Sequence, residues 1–175
     1  KKSVIAGAGV FATRAIKKGE TICHMRGTLV TLQQMSSLVD QDKEESSDPL
    51  GVDDELYMDL DEPYRSSNHS CNPNAYMRGR RVLELVALRD IQKGEEITYD
   101  YSTTMNDNEE FLKQNGDELW TEVCNCKSKN CRGIIDQFKT LSKNIQEFYL
   151  KNKYAPEFIL VKFSGNFPGK TGKAI

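Results

Sequence analysis

No run of about eighteen apolar residues occurs in the 175-residue chain, so no segment reads as a membrane-spanning helix and the chain is expected to be soluble, with no membrane partner. An excess of positive charge is missing too. Lys and Arg number 24 against 26 Asp and Glu, a formal charge of -2 with a pI near 5.8. Without a broad basic face, tight binding to a phosphate backbone is not expected, and no direct nucleic-acid partner is foreseen. Cysteine is too sparse and uneven for a disulfide scaffold. Of the five, three crowd into "CNCKSKNC" while Cys23 and Cys71 stand alone. Cys124 and Cys126, one residue apart, are poorly placed to bridge each other, and clustered thiols fit a reducing, intracellular compartment in which they bind metal. The opening "KKSVIAGAGVFATR" meets a glycine pair and further basic residues before any signal-like core forms.

Three suggestive stretches lack the context their chemistry needs. "GAGVFA" at 7 to 12 resembles a dinucleotide glycine loop, but a strand-turn-strand pattern follows where a helix is required. "GNFPGKT" is one residue short of a phosphate-binding loop and has no helix left to open. The acidic stretch has no mid-loop glycine of a calcium hand, so its carboxylates read as a solvated face or as a lure for a basic partner.

What is present suits one domain, large enough to bury roughly two thirds of its unfolded surface. Short strands dominate. "GVFATRAI" alternates, "KKGE" turns and "TICHM" resumes; "VLELVALRDI", "QKGE" and "EITYDY" repeat the plan much later. Between them lies "DQDKEESSDPLGVDDELYMDLDEP", whose first half reads as a solvated loop. After the cysteine cluster the period becomes helical at Phe138, Leu141, Ile145, Phe148 and Tyr149, with Ser142 as N-cap, before a short apolar run, "EFILVKF". The terminal "SGNFPGKTGKAI" reads as a mobile tail.

The chemistry concentrates in three places. "RSSNHSCNPN", residues 65 to 74, is a polar knot open to several readings: a surface turn, a nucleophile with its base, half of a metal site, or a pocket for a polar ligand. Cys124, Cys126 and Cys131 supply three thiolates from one loop, and a structural zinc takes four ligands because soft, charged sulfur compensates the ion's lost hydration. Cys23, His24, His69 and Cys71 are candidates for the fourth, and spacing does not choose among them. In "EITYDY", alternation puts Ile97, Tyr99 and Tyr101 on one face, the phenols about 7 Å apart along a strand. Such a pair also suits ordinary core packing with satisfied hydroxyls.

Taken in order, "GAGVFATRAIKKGETI", "RSSNHSCNPN", "LVALRDIQKGEEITYDY" and "CNCKSKNCRG" resemble the SET-domain protein lysine methyltransferases with a post-SET zinc loop, over roughly residues 3 to 133. The resemblance implies a mainly β fold with some α: small sheets around a knot-like turn in a SET domain at 1–102, with an acidic insert at 40–62. A linker and zinc loop at 103–133 and a helical extension at 134–175 complete the expected plan. It implies methyl transfer from S-adenosylmethionine to a lysine amine of a basic protein such as a histone; by its own charge, the acidic stretch near 40–62 is expected to attract such a basic peptide. Tyr101 is then the catalytic tyrosine. A phenol at Tyr99 holds a water and favours mono- or dimethylation.

The backbone at Ala8, Gly9, Val10 and Phe11 lines the cofactor's methionine end, Asn68 and His69 bond its polar groups, and Arg65 helps to hold that turn. Cys71 joins Cys124, Cys126 and Cys131 on Zn2+. Two customary positions differ: Met25 stands where a channel tyrosine is common, and Ser66 where an aromatic follows the arginine. A non-histone target such as a ribosomal protein, or an inactive interaction module on the same fold, are the other expectations. Nuclear or chromatin residence would follow for a eukaryotic source, cytoplasmic residence for a bacterial one.

Overall fold

The computed structural model describes residues 1–40, 49–114, 116 and 118–166. Two three-stranded antiparallel sheets carry the body. In the first, β1 (Thr21–His24) and β5 (Ala75–Arg80) flank β6 (Val82–Ala87); in the second, β2 (Gly27–Thr31) and β3 (Leu50–Asp53) flank β4 (Leu56–Leu60). Alternation along β4 decides what each face meets. Met58 and Leu60 join Leu50, Val52, Met77, Leu83, Leu85 and Ile97 in the main core. Tyr57 turns the other way, with Val30, Leu32 and Leu112, under α1 (Leu32–Asp40) and α2 (Glu109–Gln114).

Within the acidic stretch, Leu50–Asp53 and Leu56–Leu60 form sheet strands, because apolar residues at alternating positions outweigh an acidic average. The segment read as a solvated loop, 41–48, lies outside the described residues.

The echo between the two "KGE" turns has a structural counterpart. Ile16 and Ile91 exchange backbone hydrogen bonds at 2.9 Å in each direction, so the two turns sit side by side as an antiparallel pair. In each, the glutamate accepts from a backbone N–H three residues back, Glu20 from Lys17 at 3.1 Å and Glu95 from Gln92 at 3.0 Å. Gly19 and Gly94 supply the left-handed backbone that the tight reversal requires, with φ of +82° and +86°.

A short ribbon of β7 (Glu122–Val123) and β8 (Ile134–Ile135) closes the cysteine loop, so residues 134 and 135 belong to that loop and not to a helical extension. The helices follow. A 3-10 turn at Phe138–Thr140 leads to α3 (Lys143–Asn152), and "EFILVKF" forms α4 (Glu157–Phe163). Phe138, Leu141, Tyr149, Ala155, Phe158 and Ile159 bury against one another as a second core. Ser142 occupies the N-cap position of α3, but its side chain makes no capping bond. The expected tail from 167 onward lies outside the described residues. Among those described, no helix is long and apolar enough to cross a membrane.

Candidate functional site

The site is built where the polar knot meets residues 96 to 101. "EITYDY" does not form the regular strand its alternation suggests; it is held by isolated pairings, Phe11 with Glu96 and His69 with Tyr99. Side chains replace the ladder. The Thr98 N–H donates to Asn74 Oδ1 at 2.9 Å, the Tyr101 N–H to His69 Nδ1 at 3.1 Å, and the Ser102 N–H to Asp100 Oδ1 at 3.2 Å. Each donation removes a backbone group that a neighbouring strand would otherwise have used. Backbone bonds then tie the two segments: Tyr99 N–H to Asn68 O at 3.3 Å, Ser70 N–H to Tyr99 O at 3.0 Å, and Ala75 N–H to Thr98 O at 3.0 Å.

This changes where the two phenols lie. Tyr99 is buried, and Tyr101 opens a 3-10 turn (Tyr101–Thr104) with its side chain half-buried. Their ring centroids are 4.9 Å apart and tilted by 40°, closer than a strand spacing because the chain bends between them. The Tyr101 hydroxyl donates to the backbone carbonyl of Ser67 at 2.9 Å, which aims it at the knot.

The residues expected to hold a cofactor fall into two groups. Asn68 is buried, and its amide donates to the Ala8 carbonyl at 2.8 Å, the Ala6 carbonyl at 3.3 Å and Glu96 Oε1 at 2.8 Å. A Cβ on Gly9 would overlap the Glu96 carboxylate, so with glycine there the carboxylate can lie directly against the backbone. Val10 continues the same edge, its carbonyl accepting from Ile97 N–H at 2.8 Å, and Phe11 pairs with Glu96. Asn68, Ala8, Gly9, Val10 and Phe11 are thus one cradle. Glu96, which the sequence alone did not single out, is its acidic wall.

Arg65 and His69 face elsewhere. Arg65 Nε donates to the Leu60 carbonyl at 2.9 Å and Nη2 to Asp59 at 2.6 Å, tying the knot to β4. The His69 ring is committed inside: Nδ1 accepts from the Tyr101 N–H, while Nε2 lies 3.3 Å from Cys71 Sγ. Burial lowers its pKa to about 4, so the ring is neutral at pH 7.

The thiols gather as the loop spacing requires. Ligand atoms of His69, Cys71, Cys124 and Cys126 all lie within 4.8 Å of one another, and the sulfurs of Cys71 and Cys124 are 3.6 Å apart. Cys131 packs on the same cluster, its Sγ 3.8 Å from the Cys124 carbonyl, outside the group of four mutually close ligand atoms. Burial pushes the Cys71 thiol up to about 11. Burial also raises Cys126, but hydrogen bonds from Ser128 and the Cys71 N–H outweigh it and bring that thiol down to about 6. Cys23 and His24 are in β1, outside this group.

One buried ion pair was not anticipated. Asp100, 1% exposed, receives both terminal nitrogens of Arg132, at 2.8 and 2.7 Å, together with the Tyr149 hydroxyl at 2.8 Å. Its only trace in sequence is an Asp before the tyrosine and an Arg after the last cysteine.

Several described carboxylates of the acidic stretch are engaged internally. Asp53 meets Arg80 and Arg81 at 3.2 Å, Asp54 meets Lys162 at 2.9 Å, and Asp59 holds Arg65. These charges are partly compensated within the chain.

Comparison with known proteins adds names to this geometry. A sequence profile described as SET domain matches residues 7–102. A variant-silencing SET domain-containing protein of Plasmodium falciparum is 34% identical over 146 residues, which is 75% of this chain and 5% of that protein. Histone-lysine N-methyltransferase trithorax of Drosophila virilis is 32% identical over 150 residues, covering 77% of this chain and 4% of its own length. Histone-lysine N-methyltransferase 2B of Homo sapiens is 29% identical over 150 residues, again 77% of this chain and 5% of the relative. The chain spans no more than 5% of the length of these three relatives.

Proposed function

The chain belongs to the SET-domain family, and on that premise we propose that it is an S-adenosylmethionine-dependent protein lysine N-methyltransferase acting on a basic protein such as a histone. The observation that carries the reading is the convergence of the Tyr101 hydroxyl, the Asn68 amide and the Gly9 backbone on one turn. Three relatives or more carry histone-lysine methyltransferase in their names, which supports the substrate class. Work on chromatin would follow from such a substrate.

Bound S-adenosylmethionine supplies an electrophilic sulfonium methyl. The cradle of Ala8, Gly9, Val10, Phe11 and Asn68 would hold its methionine end: the backbone carbonyls and the Glu96 carboxylate that now accept from Asn68 would also accept from an ammonium. The chain must present an uncharged lysine amine in line with that methyl. Keeping a lysine of ordinary pKa near 10.4 neutral at pH 7 costs roughly 4 to 5 kcal/mol. Desolvation of the amine against the packed rings of Tyr99 and Tyr101 would lower its pKa, so no strong base would be needed. The phenol of Tyr101 orients the amine by hydrogen bonding. The phenol of Tyr99 fills space that a more highly methylated amine would require, which favours mono- and dimethyl products.

We propose that a structural zinc would be held by Cys71, Cys124, Cys126 and Cys131, with Cys131 drawn in from the edge of the group that His69, Cys71, Cys124 and Cys126 now form. In this reading His69 assists the thiolates and is not itself a ligand. With Nδ1 accepting from the Tyr101 N–H, the proton of the neutral ring sits on Nε2 and points at the Cys71 sulfur. A metal ion there supplies a cross-link between the cysteine loop and the knot.

The test is methyl transfer from labelled cofactor to core histones and to a cell lysate, beside Tyr101→Phe. Labelled histones, with kcat reduced about 100-fold or more in the variant and cofactor affinity kept within about twofold, are expected. A labelled lysate with silent histones would replace the substrate, and cofactor binding without labelling of anything would leave an inactive interaction module.

A further inference from the structure

The helices after residue 136 lie outside the matched SET region, yet they reach the residue beside the catalytic tyrosine. Asp100 is the N-cap of the 3-10 turn that begins at Tyr101, and its backbone is extended, with φ -89° and ψ 109°. Its carboxylate takes four donors: both terminal nitrogens of Arg132, the Tyr149 hydroxyl, and the N–H of Ser102. That fills the lone-pair sites a carboxylate offers. The donors come from the cysteine loop, from α3 and from the turn itself. Ser102 Oγ in turn accepts from Arg132 Nη2 at 3.0 Å, which closes the arrangement.

Stability alone does not account for this placement, because apolar residues of similar size often serve a buried position as well as an ion pair does. What the pair adds is direction. A bidentate guanidinium and a phenol approaching from different elements leave the carboxylate one position, and the peptide that follows carries Tyr101. The far end of the turn is held by the same extension: the Phe138 N–H donates to the Met105 carbonyl at 2.9 Å, and Gln137 Nε2 to Asp107 at 2.8 Å.

We infer that Asp100 is a clamp through which the C-terminal helices and the cysteine loop set the position of Tyr101, so that Tyr149 and Arg132 are positioning residues for methyl transfer. The inference rests on the catalytic reading proposed above. A reacting group displaced by about 1 Å loses up to about 100-fold in rate, so loosening one of four bonds gives a smaller loss confined to turnover.

The experiment uses the full chain as wild type, Tyr149→Phe, Ser102→Ala and, as a comparison, Tyr154→Phe, whose ring packs on Tyr76 and Phe148. Tyr149→Phe should lower kcat about 3- to 10-fold with both KM values within about twofold. Ser102→Ala keeps the N–H donor to Asp100 and removes only the hydroxyl that accepts from Arg132 Nη2, so it should act in the same direction by loosening Arg132, with a smaller loss. Tyr154→Phe should match wild type. A second readout needs no turnover: with tyrosine labelled by 13C at Cζ, the Tyr101 resonance, assigned by its loss in Tyr101→Phe, should move in the first two variants and stay in the third. Wild-type kcat in Tyr149→Phe, equal losses in Tyr154→Phe, or an unmoved Tyr101 resonance would each overturn the clamp. If Tyr149→Phe does not fold, Ser102→Ala decides. If the wild type methylates nothing, the catalytic reading falls, and the resonance still decides whether the clamp sets Tyr101.

Discussion

Asn74 is 2% exposed, and its side-chain amide does the work of a neighbouring strand. It accepts from the Thr98 N–H at 2.9 Å and donates to the Glu96 carbonyl at 2.7 Å and to Glu95 at 2.9 Å. Replacing it with alanine leaves a buried donor and acceptor without partners. Asn74→Ala should therefore lose about 2 to 4 kcal/mol of folding stability in urea denaturation, and an unchanged midpoint would refute that role. At Tyr99 the expectation concerns products instead. Tyr99→Phe should shift the product mixture toward higher methylation states at similar stability, read by mass spectrometry of the methylated peptide. An identical mixture would remove Tyr99 as the residue that limits product state.

Elements are joined at few points, and Gly51 is one of them. A Cβ on Gly51 in β3 would overlap the Thr104 carbonyl oxygen at the end of the Tyr101 turn. Gly51→Ala should cost about 2 to 3 kcal/mol, because both clashing groups are backbone and neither can rotate away. Thermal unfolding measures it, and a wild-type Tm would show that the sheet can shift. This contact also marks the limit of what composition reveals about elements. β6, β1 and α3 were legible because their apolar residues repeat at 2.0 or 3.6 positions, and the "KGE" turns because glycine relieves a left-handed backbone. β3 and β4 were hidden by the carboxylates among them, although Leu50, Val52, Met58 and Leu60 alternate correctly. "EITYDY" misled in the opposite sense. Its alternation is strand-like, but Asn74 and His69 capture the Thr98 and Tyr101 N–H groups from positions that no local pattern predicts. The cysteines and the knot were legible as chemistry. Which side of the knot His69 faces was not, since that depends on the Tyr101 N–H it accepts.

Across the whole molecule, the knot is where three parts meet: the cradle before β1, the turn carrying Tyr101, and the cysteine loop. Cys71 belongs to the knot and to the thiol cluster together, and the Arg132 N–H lies 3.4 Å from its sulfur while Asn130 donates to its carbonyl at 3.1 Å. The loop that would carry the metal is therefore bonded to the turn that would carry the cofactor, three residues from Asn68. The most direct measurement is titration of S-adenosylhomocysteine into the purified full chain, followed by calorimetry before metal removal, after chelation, and after zinc is returned. Affinity should fall at least about tenfold on chelation and recover with about one equivalent of zinc, as expected when metal binding and local folding are coupled. Unchanged affinity in a metal-free, folded chain would contradict the account, because the cofactor turn would then stand without the loop.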